Sequence, residues 1–179
     1  MTNVGKPELA TQKRVISLFS NDLNYKYLGD WSERENNSNI EQDLLKSYLT
    51  KSGYKPEQTA RAIEALKKQA ENFNRSLYGN NQAVYDLLRY GVPVKVEAGK
   101  PTESVHLINW AKPDQNDFCI AEEVTLSGEN ERRPDLVLYI NGIAIAVIEL
   151  KNSRVSIGDG IRQIISNQQP EFHSWFFST

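Results

Sequence analysis

The chain has very little cysteine and histidine, which limits the kinds of site it could carry. Its 179 residues include one cysteine, Cys119, and two histidines. One cysteine cannot form an internal disulfide, and three such residues are too few for a structural zinc site. We therefore interpret Cys119 as a small core residue. We also expect the protein to be in a reducing compartment, and the cytoplasm is the simplest assignment.

Long apolar runs and an excess of one charge are also absent. No window approaches the roughly 20 apolar residues that a membrane-spanning helix requires, so we expect no membrane partner. The chain has 21 basic and 23 acidic residues, which gives a net charge of −2. No global field therefore draws it to nucleic acid, and a polyanion would have to be held by a local patch.

The composition and length favour one globular domain. Hydrophobic residues make up 39% of the chain and charged residues 25%, which is enough apolar material for a core. We expect a single α/β domain over residues 1–179, with a helical part at about 1–90 and a mixed-sheet part at about 91–179. The chain stops directly after an apolar segment, residues 175–177, so we also expect it to be a fragment of a longer protein.

Residues 8–90 have the apolar spacing of helices. We expect four helices: one that ends near Leu28, one capped by Ser38, the longest one from Pro56, and one capped by Asn80 or Asn81. A further helix is expected later in the chain, between Ser156 and Pro170.

After Gly91 the pattern changes to that of strands. Strands are expected over residues 92–96, 105–108, 118–126, 136–140, 143–148 and 175–177. The segments 136–140 and 143–148 flank Asn141-Gly142 and form the clearest hairpin signal in the chain. Because residues 143–148 are apolar on both faces, we expect a central strand that is covered on both sides.

Three charged residues lie at the ends of this hairpin: Asp135, Glu149 and Lys151. Glu149 and Lys151 share a face if the strand continues to them. A two-residue Asn141-Gly142 loop would place Asp135 on the opposite face. A three-residue loop, 140–142, with the glycine in a left-handed bulge would place all three on one face, and this is the register that we expect.

Such a cluster is suited to phosphodiester hydrolysis. Two carboxylates bind a hard cation such as Mg²⁺, and the cation can position an attacking water. Nearby arginines would match a phosphate backbone, namely Arg132, Arg133, Arg154 and Arg162. The same charges also occur where strand ends simply meet water, and spacing alone leaves both interpretations open. Glu122 and Glu123, on the preceding strand, could place one carboxylate toward the site, but we expect a solvated strand face.

Several stretches together form a recognisable pattern: residues 81–94 (NQAVYDLLRYGVPV), 116–118, 132–138, 141–143, 149–153 and 160–163. They resemble the N-terminal nuclease domain of the restriction (R) subunit of type I restriction-modification enzymes, and the resemblance runs through the whole chain. It implies a restriction-endonuclease-like, PD-(D/E)xK fold, in which a mixed sheet is flanked by helices.

The resemblance also implies roles for individual residues. Asp135 and Glu149 would bind Mg²⁺, and Lys151 would orient the nucleophilic water or stabilise developing charge. Gln163 matches a glutamine on the following helix of related nucleases. Their motif continues to a tyrosine, where this chain has Asn167. A glutamate on the first helix is also common in such relatives, and Glu8 is the candidate here.

The implied activity is cleavage of foreign double-stranded DNA, with sequence choice supplied by methyltransferase and specificity subunits. The resemblance also implies an ATP-driven translocase in the parent subunit. No stretch here matches the Gly-x4-Gly-Lys-Ser/Thr pattern of a P-loop, so ATP chemistry is expected downstream. Two alternatives stay open: a non-catalytic module that docks to the methyltransferase partner, and a repair or junction nuclease of the same fold.

Overall fold

A computed structural model describes residues 6–96, 99, 101–126, 131–151, 156–169 and 174–179. Within them the α-helices are α1 (Lys6–Ser17), α2 (Gln42–Lys51), α3 (Pro56–Ala70), α4 (Leu77–Tyr90) and α5 (Ile157–Asn167). The strands are β1 (Lys26–Asp30), β2 (Val92–Val94), β3 (Glu103–Val105), β4 (Phe118–Glu122), β5 (Leu136–Ile140) and β6 (Ile143–Ile148). None of the described helices has the length and apolar character to cross a membrane.

The strands form one four-stranded mixed sheet and one two-stranded sheet. The larger sheet has the order β1-β4-β5-β6, and β1 runs parallel to β4 with Lys26 opposite Cys119. The smaller sheet pairs β2 with β3 in antiparallel fashion. The expected fold class, a mixed sheet with helices concentrated in the N-terminal half, is confirmed. Cys119 is buried, as expected of a small core residue.

Two expectations about strand position are wrong. The first helix was expected to end near Leu28. Instead α1 ends at Ser17 and a π-helical turn continues it only over Leu18–Asp22, while Lys26–Asp30 forms β1 because it pairs with β4. The last described strand, β6, was expected in the centre but lies at the end of the sheet, where Ile145 is 42% exposed. Local propensity does not predict β1, because its strand conformation depends on pairing with β4, which is distant in sequence.

Helix caps and the chain end also differ from expectation. Glu41, not Ser38, precedes the first residue of α2. Ser76, not Asn80 or Asn81, caps α4, and its hydroxyl accepts a hydrogen bond from the Gly79 N–H at 3.1 Å. The expectation that α3 is the longest helix is confirmed. Residues 174–177 form a 3₁₀ turn and not a strand.

The hairpin between β5 and β6 has a two-residue turn. Asn141 and Gly142 have φ angles of 53° and 85°, as in a type I′ turn. The expected three-residue loop is therefore wrong. The buried Asn141 side chain holds this turn, because its amide donates to the Leu107 carbonyl at 2.8 Å and its oxygen accepts from the Asp117 N–H at 2.7 Å.

The chain divides into two compact units whose sequence ranges interleave. The first comprises Met1–Ser38, Phe118–Tyr139 and Ile145–Ser174, and the second comprises Asn39–Asp117, Ile140–Ala144 and Trp175–Thr179. In the first unit, apolar residues of β4 and β5 pack against α1; they are Ile120, Leu136, Leu138, Val15 and Ile16. In the second, α2, α3 and α4 enclose a core with β2 and β3. Every candidate site residue lies in the first unit.

Candidate active site

Asp135 directly precedes β5, and backbone N–H groups of two other segments hold it by hydrogen bonds. Its Oδ2 accepts a hydrogen bond from the Leu150 N–H at 2.5 Å, and its carbonyl oxygen accepts one from the Glu123 N–H at 2.9 Å. Burial is the largest influence on its carboxyl group and raises the pKa, while the Leu150 N–H acts in the opposite direction. The carboxylate is thus fixed in a partly desolvated position.

Asp135 and Glu149 meet although the turn has the register that was expected to separate them. The reason is that β6 ends at Ile148, so Glu149 and Leu150 no longer follow the alternation of a strand. Leu150 instead turns its N–H toward the Asp135 carboxylate. The residues converge through an irregular segment after the strand.

Glu149 is the most buried charged group of the site, with a side chain that is 1% exposed. Its Oε2 accepts a hydrogen bond from Gln163 Nε2 at 3.0 Å and lies 3.8 Å from Lys151 Nζ. Its Oε1 is buried and has no hydrogen-bond partner. Burial, with the Asp135 charge as the second cause, raises the Glu149 pKa to about 7, although Lys151 opposes this shift.

A divalent cation fits this arrangement. A buried carboxylate oxygen without a donor is unfavourable, and a bound cation would satisfy it. The Asp135 charge raises the Glu149 pKa, and an ion bound by both carboxylates would remove this repulsion. No three histidine, cysteine or acidic residues in the described part of the chain are arranged to hold a metal ion. Mg²⁺ commonly uses one or two carboxylates with water and phosphate oxygens.

Helix α5 positions the other two residues of the predicted motif, Lys151 and Gln163. Its first turn is capped by Ser156, whose hydroxyl accepts a hydrogen bond from the Gly158 N–H at 3.2 Å. A Cβ added at Gly160 would lie 3.2 Å from Lys151 Cγ, so the stem of Lys151 runs close over this glycine. Gln163 follows on the same helix and contacts Glu149.

Glu8 joins these residues from α1. Its side chain is half-buried, and its charge contributes to the raised pKa of Asp135. The structure therefore brings together four of the residues predicted for the site, Asp135, Glu149, Lys151 and Gln163. Glu8 acts on Asp135 through its charge, and no hydrogen bond between them is described.

Three further residues around the site were missed or misjudged. Glu122 and Glu123 were expected on a solvated face, but both are half-buried, and both accept hydrogen bonds from Gln12 Nε2, at 2.9 and 3.0 Å. Gln12 itself is 4% exposed. Its position four residues after Glu8 puts the two on one helix face, and that spacing is the signal that could have revealed it.

The predicted DNA-binding arginines fall into different environments. Arg133 Nε lies 2.9 Å from Glu123 Oε2, and the exposed Arg162 pairs with Asp159. Arg132 Nε donates to Asn167 Oδ1 at 3.0 Å, and Asn167 is buried. Asn167, which replaces the tyrosine of the related motif, therefore holds Arg132 against α5. Arg154 lies outside the described residues.

The fold and the site define a mixed α/β domain with two carboxylates and a lysine at the ends of a hairpin. The chain belongs to the family described as "Type I restriction enzyme R protein N terminus", which matches residues 6–179. The resemblance read from the sequence is confirmed.

Individual relatives come from Methanocaldococcus jannaschii. A protein named as the endonuclease subunit of the type I restriction enzyme MjaIXP is 34% identical over 99 residues, which is 52% of this chain and 10% of that protein. The corresponding MjaVIIP subunit is 36% identical over 67 residues, or 37% of this chain and 6% of that protein. The chain thus matches a tenth or less of the length of these curated relatives.

Proposed function

We propose that this chain is the Mg²⁺-dependent endonuclease domain of a type I restriction enzyme, which hydrolyses phosphodiester bonds of foreign double-stranded DNA. The observation that carries the proposal is the buried Glu149 Oε1, which has no hydrogen-bond partner and lies in a site that also holds Asp135 and Lys151. Membership of the R-protein family and the endonuclease names of the relatives support it.

In this proposal Asp135 and Glu149 hold the cation, which when bound would polarise the phosphate and lower the pKa of a water. Gln163 orients Glu149 by donating to Oε2, so that Oε1 stays free. The Lys151 ammonium, 3.8 Å from Oε2, supplies positive charge for a pentavalent phosphate. The Leu150 N–H keeps the Asp135 carboxylate in place.

Sequence choice and much of the DNA affinity would come from outside this chain. With a net charge of −2 it offers few phosphate contacts, and non-specific affinity grows with the number of phosphates neutralised. We infer that methyltransferase and specificity subunits select the DNA, and that an ATP-driven translocase in the parent subunit delivers it. The isolated chain is therefore expected to cut plasmid DNA slowly with Mg²⁺ alone.

The test uses the R subunit assembled with its methyltransferase partner. D135N and E149Q remove one negative charge each at nearly constant shape, and D159N does the same at an exposed ion pair outside the site. We expect D135N and E149Q to lower DNA cleavage by at least about a hundredfold. Each variant removes a carboxylate that holds the cation, so the negative charge of the transition state is no longer neutralised. Assembly and D159N cleavage should be unchanged.

The same variants separate the proposal from a docking role. If the domain only holds the R subunit against its partner, D135N and E149Q should cut DNA as well as D159N. Equal cleavage by all three variants would contradict the proposed function.

A further inference from the structure

Beside the candidate catalytic residues lies a second pair of carboxylates, Glu122 and Glu123, and each of their oxygens has a donor. Both oxygens of Glu122 have donors: Oε2 accepts from Gln12 at 2.9 Å, and Oε1 accepts from the Tyr27 hydroxyl. Both oxygens of Glu123 are also occupied, Oε1 by Gln12 at 3.0 Å and Oε2 by Arg133 at 2.9 Å. Unlike Glu149, this pair has no carboxylate oxygen that lacks a donor.

One buried amide nitrogen holds the two carboxylates together. Gln12 is 4% exposed, and both hydrogens of its Nε2 are used, one for each glutamate. An uncharged amide is suited to this position, because it donates to both negatively charged groups and adds no charge to the site. Through these bonds α1 is fastened to the end of β4.

Glu123 transmits this constraint to Asp135. Its backbone has a φ angle of 51°, a left-handed conformation that is uncommon for a residue other than glycine. Such a conformation persists only where the surroundings hold it, and here Gln12 and Arg133 hold the side chain. In this conformation the Glu123 N–H donates to the Asp135 carbonyl at 2.9 Å.

We propose that Gln12 is a positioning residue of the cation site, which fixes Asp135 by holding Glu123 in its left-handed conformation. It acts through Glu123 and touches neither cation nor DNA. The site is assembled from α1, β4 and the hairpin ends. The Gln12 hydrogen bonds therefore set the distance between α1 and the end of β4. The inference rests on the proposed cation site and adds a residue that determines its geometry.

The test measures the affinity of the 179-residue chain for Mn²⁺ alone, by titration calorimetry. Q12M keeps the length of the side chain but removes both donors, and K13M changes the exposed neighbour on the same helix. We expect Q12M to weaken Mn²⁺ binding by about tenfold, as is usual for residues that orient metal ligands, and K13M to bind like wild type. Thermal unfolding, recorded in parallel, shows that each protein is folded at the assay temperature.

A double-mutant cycle with E123Q identifies the route of the effect. If Gln12 acts through Glu123, the Q12M/E123Q protein should bind Mn²⁺ no more weakly than the weaker single variant. Should Q12M fail to fold, Q12N retains the amide but is one methylene too short to reach both glutamates, and the same loss is expected.

Wild-type affinity in folded Q12M, or losses that multiply in the double variant, would overturn the inference and leave the cation site intact. Absence of Mn²⁺ binding by the wild-type chain would overturn the cation site itself and the inference with it.

Discussion

At the scale of single residues, Glu149 combines near-complete burial with one oxygen that has no protein donor. Gln163 and Lys151 stabilise only Oε2. Burial favours the protonated carboxyl, whereas a cation requires the carboxylate. The deprotonated Glu149 side chain is therefore unfavourable in the cation-free protein, and a bound cation would remove this destabilisation.

The cation-free chain should lose stability as the pH rises. Glu149 has a folded pKa of about 7 against an ordinary 4.5, so the folded state holds this proton more tightly than the unfolded state. Its contribution is fully present below about pH 4.5 and is lost as pH rises through 7, which amounts to up to about 3 kcal/mol. Urea unfolding at pH 5 and pH 8, in chelator, measures the change.

E149Q is the control for this effect because its amide does not titrate. The free energy of unfolding of E149Q should fall less between the two pH values than that of the wild-type protein. An identical pH dependence of the two proteins would show that Glu149 does not carry the raised pKa.

Arg132 and Arg162 should differ in their effect on stability. R132A leaves the buried Asn167 oxygen without its Arg132 donor and is expected to cost about 1–2 kcal/mol. R162A removes an exposed ion pair and is expected to cost less than about 0.5 kcal/mol. Denaturant midpoints measure both; a loss in R162A as large as that in R132A would contradict this assignment.

At the scale of elements, the Asn141-Gly142 turn fixes the end of the hairpin. A Cβ on Gly142 would lie 2.7 Å from the Glu41 carbonyl oxygen and 2.7 Å from Leu44 Cβ, and the φ angle is 85°. G142A is therefore expected to lower the free energy of unfolding by about 3 kcal/mol or more, since strain and overlap add.

Gly53 offers a matched control for G142A. It has a similar φ angle of 88°, but nothing lies within 4 Å of an added Cβ. G53A should therefore cost only the backbone strain, about 1 kcal/mol. Equal losses in the two variants, measured by urea unfolding, would show that the close approach at Gly142 is absent.

Helix α5 controls the position of Lys151 through Gly160. In G160A the new methyl group would press on Lys151 Cγ at 3.2 Å, so the side chain must move by a few tenths of an ångström. Alanine also favours the helix by about 1 kcal/mol, so stability should be kept or raised. We expect the assembled R subunit to cut DNA several-fold more slowly, because the lysine is displaced.

The control for G160A is G158A on the same helix, where the nearest atom to an added Cβ is at an ordinary 3.4 Å. Its cleavage rate should be close to that of wild type. A G160A enzyme that cuts DNA as fast as G158A would show that Gly160 does not set the position of Lys151.

The elements also show how far the sequence could predict the structure. The hairpin and its turn residues were predictable, because Asn-Gly between apolar runs is a local signal. The register was not, because Asn141 is held by Leu107 and Asp117, which are distant in sequence. β1 was missed for the same reason, since its strand conformation depends on pairing with β4.

The candidate site was more predictable than the register that supports it. Asp135, Glu149 and Lys151 were identified from charge next to apolar strands, and the family resemblance added Gln163 and Glu8. Strand alternation does not decide which face Glu149 lies on, because the chain leaves the strand before this residue. The partners of Glu122 and Glu123 could not be foreseen, since Gln12 lies 110 residues before Glu122 in sequence.

At the scale of the whole molecule, the candidate site depends on segments from three parts of the chain. Helix α1, the β4–β5 segment and the residues after β6 all lie in the first compact unit. No described residue of the second unit belongs to the candidate site, and that unit contains the packed helices α2, α3 and α4. A cation would therefore link sequence-distant segments of one unit.

The central claim is that Asp135 and Glu149 hold one divalent cation between them. Crystals of the chain soaked in Mn²⁺ and measured at the manganese absorption edge test it directly. We predict an anomalous peak within about 2.5 Å of a carboxylate oxygen of each residue, with Glu149 Oε1 as one ligand. Well-ordered carboxylates with no peak between them, in crystals that contain Mn²⁺ at millimolar concentration, would contradict it.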